Sequence, residues 1–164
     1  SELGKYLEDE GMPLAYHHHM GTVIETQKDT ERLIENTHES VKLTLDTGHM
    51  LFAKGDSKSI LQNYHERILH VHCKDIRKQV LEKSLKEDLS FRAAFLEGAF
   101  TVPGDGCIDY QPLFNVLKNN NYSGWLVVEA EQDPAKANPL EYAKIGYNYL
   151  TDTLKKSEIE IYKN

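Results

Sequence analysis

Short apolar runs that stop abruptly at polar, chemistry-bearing residues recur four times along this chain. They are Pro13-Leu14-Ala15-Tyr16-His17-His18-His19, Lys42-Leu43-Thr44-Leu45-Asp46, Ile68-Leu69-His70-Val71-His72-Cys73-Lys74-Asp75 and Gly124-Trp125-Leu126-Val127-Val128-Glu129-Ala130-Glu131. Each reads as a β-strand whose C-terminal end delivers His, Asp or Glu. Helical patterns separate them. Residues 2–10 form an amphipathic run stopped by Gly11, and Asp29–Glu35 opens with an acidic turn. Gly55-Asp56 precedes a helix over Ser57–Glu66 with Ile60, Leu61 and Tyr64 on one face. Tyr110–Asn119 turns Leu113, Phe114 and Leu117 inward and ends at an asparagine run, and Leu140–Lys155 closes the series. Strands alternating with helices predict an α/β fold with a parallel sheet. A site built from strand ends suits an α/β barrel.

One connection breaks the rhythm. Asp75 to about Asp109 holds a charged helical stretch (Lys78–Leu89), a more apolar one (Phe91–Phe100) and a closing Thr101–Asp109 loop. A connection of that length in a compact domain is usually functional. Residues 76–109 are therefore expected to lie over the strand ends as a lid-like insertion in a single domain, 1–164. Within it, Gly104-Asp105-Gly106 reads as a tight turn rather than a phosphate cradle, because no P-loop pattern follows.

Bulk properties narrow the classes. The net charge of −7 and the lack of a basic stripe argue against a protein that grips nucleic acid through its phosphates. They leave room for a small uncharged substrate. Two cysteines, Cys73 and Cys107, are too few for a disulfide framework, so a reducing, cytoplasmic setting is expected. No apolar stretch is long enough to span a membrane, and no signal-peptide pattern opens the chain.

The strand ends suggest a divalent metal held by His17, Asp46, His72 and Glu129. Parallel neighbours bring their C-terminal ends close together, and imidazole with carboxylate suits Mn²⁺, Co²⁺, Fe²⁺ or Zn²⁺. The bland alternative is four polar strand ends that hydrogen-bond helix N-termini. Alternation puts His17 and His19 on one face and His18 on the other, and sets His70 deeper than His72. His19, His49, Lys74 and Glu131 are the candidates for moving protons beside the metal. Asp75 is expected to orient a neighbour, Cys73 to be a small core residue, and His38 and His65 to be solvated.

At these positions the sequence resembles the xylose-isomerase-like barrels, a superfamily of sugar isomerases, epimerases and family-IV apurinic endonucleases. The resemblance rests on YHHHMGT (16–22), LDTGHM (45–50), RILHVHCKD (67–75), FTVPGDGCIDY (100–110) and GWLVVEAEQDPAKANPLEYA (124–143). LDTGH and HVHxKD are shared across the superfamily and imply its fold and metal. The last two are more specific to the inosose dehydratases of inositol catabolism. The resemblance implies a metal-dependent lyase that removes water from 2-keto-myo-inositol (scyllo-inosose), with manganese or cobalt as the metal. It implies Asp46, His72 and Glu129 as ligands. His17 falls where most members carry a glutamate, and His19 where some carry a catalytic lysine. An isomerase or epimerase of inososes or ketoses would use the same chemistry, and a third reading is a non-catalytic piece that binds metal at most.

Barrels of this kind have eight strands on roughly twice this length, so the resemblance implies the C-terminal half of a (β/α)8 barrel, about four β/α units. Its two edge strands, 13–19 and 124–129, would then be open. The sequence reading also exposes an apolar inner face drawn from Leu43, Leu45, Leu69, Val71 and the neighbours of Leu126, by whichever parity faces inward, a loss on the order of 10 kcal/mol for several hundred Å². A homo-oligomer, or an N-terminal half, is expected to cover it.

Overall fold

The computed structural model describes residues 1–162. In chain order the first elements are α1 (Glu2–Asp9), β1 (Leu14–His17), α2 (Gln27–Glu35), β2 (Val41–Asp46), α3 (Thr47–Phe52), α4 (Ser57–Tyr64) and a 3-10 turn at His65–Arg67. Then come β3 (Ile68–Cys73), β4 (Asp75–Ile76), α5 (Lys78–Lys86), α6 (Phe91–Leu96), β5 (Phe100–Thr101), α7 (Gln111–Asn119), β6 (Trp125–Val128) and α8 (Pro139–Lys156). Four strands form a parallel sheet in the order β1-β2-β3-β6, as the alternating pattern predicts.

Local chemistry sets the boundaries. Thr26 and Asp29 form a reciprocal capping box at the start of α2. Asn138 caps α8, and Pro139 occupies its first turn. The first strand stops at His17, two residues earlier than expected, because the chain turns and His19 N donates to Ile24 O. Helix α5 stops at Lys86 rather than Leu89, where Asp88 turns left-handed at φ 50°. Helix α6 likewise ends at Leu96. Beyond it Phe100–Thr101 pairs antiparallel with Asp75–Ile76, a short ribbon with no signature in the hydrophobic pattern. Helix α3 was also not anticipated, because Asp46 ends β2 and caps the helix at once.

The packing corrects the expected inner face. Leu43, Leu45, Val71 and Cys73 are buried beneath α4, α7 and α8, beside Ile60, Leu61, Leu113, Phe114, Leu117, Leu150 and Leu154. Leu126 is half-buried against the same core. Alternation puts the other parity on the opposite face. One row there runs His17, Thr44, His70, Trp125, and the next runs Asp46, His72, Val127. That face is mostly polar, so the apolar penalty expected for it falls away. A second, smaller core joins Phe52 of α3 to Ile76, Leu81, Ala94, Ala99 and Phe100 of the 76–109 segment. His38 and His65, expected in solvent, are half-buried; His38 Nδ1 lies 3.0 Å from Ser40 Oγ.

The register between β2 and β3 is not uniform. Leu43 lies beside Ile68, but Thr44 lies beside His70, so Leu69 is an extra residue. Its carbonyl accepts the Tyr122 hydroxyl at 3.3 Å. Were Leu69 paired in the ladder instead of looped out, Asp46 would lie beside Val71, a core residue, instead of His72.

Arg67 ties the lower ends of these elements together. Its guanidinium donates to the carbonyls of Ile34 (2.8 Å), His38 (3.1 Å) and Val41 (2.6 Å) and to Thr37 Oγ1 (2.8 Å). A lysine has no fork to reach these acceptors together. Arg67→Lys is expected to lower the unfolding free energy by about 2 kcal/mol in urea titration; an unchanged midpoint would show the fork to be dispensable.

Candidate functional site

The carboxyl ends of the four parallel strands converge on one polar cluster. Asp46 is both the last residue of β2 and the N-cap of α3. Its Oδ1 accepts His49 N at 2.8 Å, which leaves Oδ2 to face the cluster. Around Oδ2 stand His17 Nε2 at 3.4 Å, Lys74 Nζ at 3.3 Å and His72 Nδ1 at 3.6 Å. Glu129 follows β6, and its Oε2 is 3.6 Å from the same His72 nitrogen. The donor atoms of His17, Asp46 and His72 lie within 4.8 Å of one another. All four of the residues expected to bind metal are therefore brought together, with Glu129 slightly apart.

A second group adjoins the first and contains the four expected proton-moving residues. Lys74 Nζ is 2.9 Å from His49 Nε2 and 2.9 Å from Glu131 Oε2. His49 Nε2 is 3.1 Å from Glu131 Oε2, and His19 Nε2 is 3.4 Å from Glu131 Oε1. His19, His49 and Glu131 also have metal-like spacing. Lys74 Nζ is within 2.9 Å of two of these three groups, whereas among His17, Asp46 and His72 it approaches only Asp46, at 3.3 Å, so this group suits proton transfer better than a cation.

Lys74 is wholly buried. Its backbone is fixed by Thr47 Oγ1 and the Tyr110 hydroxyl, which lie 2.7 and 2.9 Å from its carbonyl oxygen. Its side chain crosses Gly48, where a Cβ would fall 2.7 Å from Lys74 Cγ. Burial disfavours the ammonium, but Asp46 and Glu129 outweigh that and raise its pKa. Burial likewise opposes charge on Asp46, yet His17, His72 and Lys74 hold its carboxyl well below the usual range. Burial pushes Glu129 up, and the neighbouring Asp46 adds to that against the pull of Lys74. For Glu131 burial is overcome by His49 and Lys74, and its pKa falls to about 2. Burial lowers the pKa of His49.

Several contributors carry no sequence signal of their own. His18, expected to point away, is buried, and its Nε2 accepts Asp46 N at 3.1 Å, tying the ends of β1 and β2 together. Burial drives its pKa to about 4, which keeps the ring a neutral acceptor. Phe100 packs on His49 at 5.2 Å between ring centroids, and Phe91 lies 5.5 Å from His19. Asp75 does orient a neighbour: its Oδ1 accepts Ile76 N at 2.7 Å and Ile108 N at 2.9 Å. Cys73 is a core residue, its thiol pushed up by burial.

A parallel sheet with imidazoles and carboxylates gathered at its carboxyl end defines an α/β-barrel type of protein with a strand-end site. The xylose isomerase-like TIM barrel family matches residues 1–153, and the chain belongs to it. A protein of Clostridium beijerinckii named inosose dehydratase is 52% identical over 153 residues, which is 93% of this chain and 51% of that protein. The chain thus spans about half the length of the curated relatives it matches. Among solved structures, a probable 3-DHS dehydratase, AsbF, from Bacillus anthracis superposes with TM-score 0.68 at 18% identity, covering 92% of this chain and 53% of its own. A protein named IOLI, solved with a bound zinc atom, gives TM-score 0.59 at 23% identity, covering 96% and 51%. These two likenesses establish the fold. Among the described residues, no helix is long and apolar enough to cross a membrane.

Gly48 offers a test of the geometry. Alanine is the better helix former by about 1 kcal/mol, but here it would collide with the stem of Lys74. Overpacking of that kind costs about 1–3 kcal/mol. Gly48→Ala is expected to destabilise the protein in urea titration; a stabilised variant would mean that Lys74 has room to move.

Proposed function

We propose that the whole protein is a metal-dependent inosose dehydratase of myo-inositol catabolism. It removes water from 2-keto-myo-inositol (scyllo-inosose) to give a trihydroxycyclohexane-dione. One observation carries the metal part of this reading. His17 Nε2, Asp46 Oδ2 and His72 Nδ1 are buried without a hydrogen-bond partner, and Glu129 Oε2 beside them is met only by Lys74 Nζ, at 2.8 Å. Unpaired buried polar atoms are costly, and three on one wall call for a common partner. Asp46, Glu129 and Glu131 also outnumber the single ammonium among them, so a divalent cation restores the balance. Mn²⁺ or Co²⁺ is the expected ion. The naming of the half-length-matched relatives supports the substrate. Two unpaired cysteines fit a cytoplasmic setting.

Held by His17, Asp46, His72 and Glu129, a divalent ion would supply the Lewis acidity that draws electron density from a ketone and a neighbouring hydroxyl and acidifies the C–H beside the ketone. His19 is the base. Its Nδ1 is tied to Met20 O at 2.7 Å, which leaves Nε2 to accept the proton. Glu131 stabilises the imidazolium so formed. The electron pair left on carbon expels the hydroxyl from the next carbon. Lys74 is wholly buried, so its proton reaches the leaving hydroxyl through the partly exposed Glu131. Glu131 also touches His19, so the imidazolium proton returns through it to Lys74. His49 fixes the orientation of Lys74 and Glu131. Ketonisation completes the dione, with one water released.

Asp46→Ala and Glu129→Ala in the full-length enzyme are expected to lose both bound metal, by elemental analysis, and dione formation, by NMR. Normal metal content with normal turnover in either would overturn the ligand assignment. A ketose isomer formed without loss of water would identify an isomerase or epimerase on the same scaffold.

We further propose that the sheet is completed by four more β/α units, from an N-terminal half or a second copy, and that residues 76–109 cover the site as a lid. Edge strands β1 and β6 support this, as does Trp125, 64% exposed on β6. Light scattering of residues 1–164 alone is expected to show a dimer or larger; a folded monomer would overturn self-association as the means of covering the edges.

A further inference from the structure

The 76–109 segment sets one side chain against the proton-moving group that the mechanism above does not use. Phe91 opens α6, behind Ser90, whose Oγ accepts Ala93 N at 3.2 Å. Its ring centroid is 5.5 Å from that of His19, 6.0 Å from His49 and 5.7 Å from Phe100. Phe100 is fully buried and stands 5.5 Å from Lys74 Nζ. Two phenylalanines of one segment therefore wall one side of the two imidazoles and the ammonium. They differ in what lies behind them. Phe100 backs onto Phe52 in the small core at 5.4 Å. Phe91 is half-buried and lines a groove of about 480 Å³, together with Met20, Glu25, Lys54 and Asp88. Its ring stands between that groove and His19.

His19 needs such a neighbour. Its one hydrogen bond is Nδ1 to Met20 O at 2.7 Å, while Nε2 only stands 3.4 Å from Glu131 Oε1. A ring held through one nitrogen is free to swing and tilt about that bond, and an edge-on aromatic neighbour limits the motion. The imidazoles of His19 and His49 lie only 3.7 Å apart, so tilting one disturbs the other. We propose that Phe91 is a positioning residue, which holds the His19 imidazole in line with Glu131 and keeps groove water from the base. The kinetic part of this inference rests on the dehydratase reading. In that reaction water at the base would return a solvent proton to the substrate carbon before the hydroxyl leaves. Exchange at that carbon would then outrun loss of water.

The test uses the full-length, metal-loaded enzyme with Phe91→Ala and Phe91→Leu. In Phe91→Ala, kcat should fall roughly 10- to 100-fold, with KM changed by less than about threefold. The ratio of deuterium wash-in from solvent to dione formation should rise. Phe91→Leu should recover most of the loss, and both variants should keep wild-type metal content, because the ring contacts are to the proton-moving group. A wild-type kcat and exchange ratio in Phe91→Ala would overturn the proposal, and so would activity lost in step with metal. A second readout is independent of the substrate. The ¹⁵N resonances of the His19 and His49 side chains should move in Phe91→Ala and return toward wild type in Phe91→Leu. Unmoved resonances would overturn the positioning role even if inosose proves to be the wrong substrate.

Discussion

A wholly buried ammonium is the constraint around which this structure is arranged. Taking a lysine out of water costs several kcal/mol even after relaxation, so the charge must be met by partners. Lys74 finds Asp46, Glu129 and Glu131 within 3.3 Å, at the ends of two different strands. That requirement fixes where β2 and β6 stop relative to β3. It also divides the site. The carboxylate atoms on one side of Nζ face His17 and His72; those on the other face His19 and His49. A single cation thus separates a region suited to holding a metal from one suited to moving a proton.

The Lys-Asp pair that follows β3 is accommodated by two distant glycines. Gly48 lets the Lys74 stem pass over the first turn of α3. Gly106 does the same for Asp75, whose Oδ1 occupies the space a Cβ would need, 2.1 Å away. The Asp75 carboxylate in turn binds the backbone of Ile108, so the loop that closes the 76–109 segment is anchored one residue from the buried ammonium. Arg77 adds a second anchor, with NH2 2.7 Å from Asp105 Oδ2 and NH1 2.8 Å from Gly98 O. Residues 76–109 are therefore fastened at both ends beside the end of β3.

Much of this was legible from spacing. Four apolar runs ending in His, Asp or Glu gave the sheet, and alternation placed His17 with His19 and buried Cys73. What was missed depends on contacts remote in sequence. Phe91 and Tyr110 look like ordinary apolar positions until the fold sets one on His19 and the other on the Lys74 carbonyl. Helix α3 escaped notice because Asp46 serves two elements at once, and a periodicity argument assigns it to one. The parity of the sheet stays open in the sequence. Leucines at 43 and 45 read equally well on either face, and only the helices packed over them settle which face is dry.

The extra residue between Ile68 and His70 gives the site a dependence on counting rather than on chemical identity. Leu69 contributes a half-buried side chain and a carbonyl that Tyr122 satisfies; other side chains can meet the first need, and any residue the second. Looped out of the ladder, it leaves His70, Val71 and His72 in strict alternation against Thr44, Leu45 and Asp46. Loss of Leu69 itself would only straighten the ladder, but one codon fewer after it, at Val71, would rotate His72 into the oily layer and bring Cys73 beside Asp46, with every remaining amino acid unchanged. In a gene of this kind, in-frame deletions inside β3 carry a functional risk that a catalogue of substitutions at the same position would not reveal.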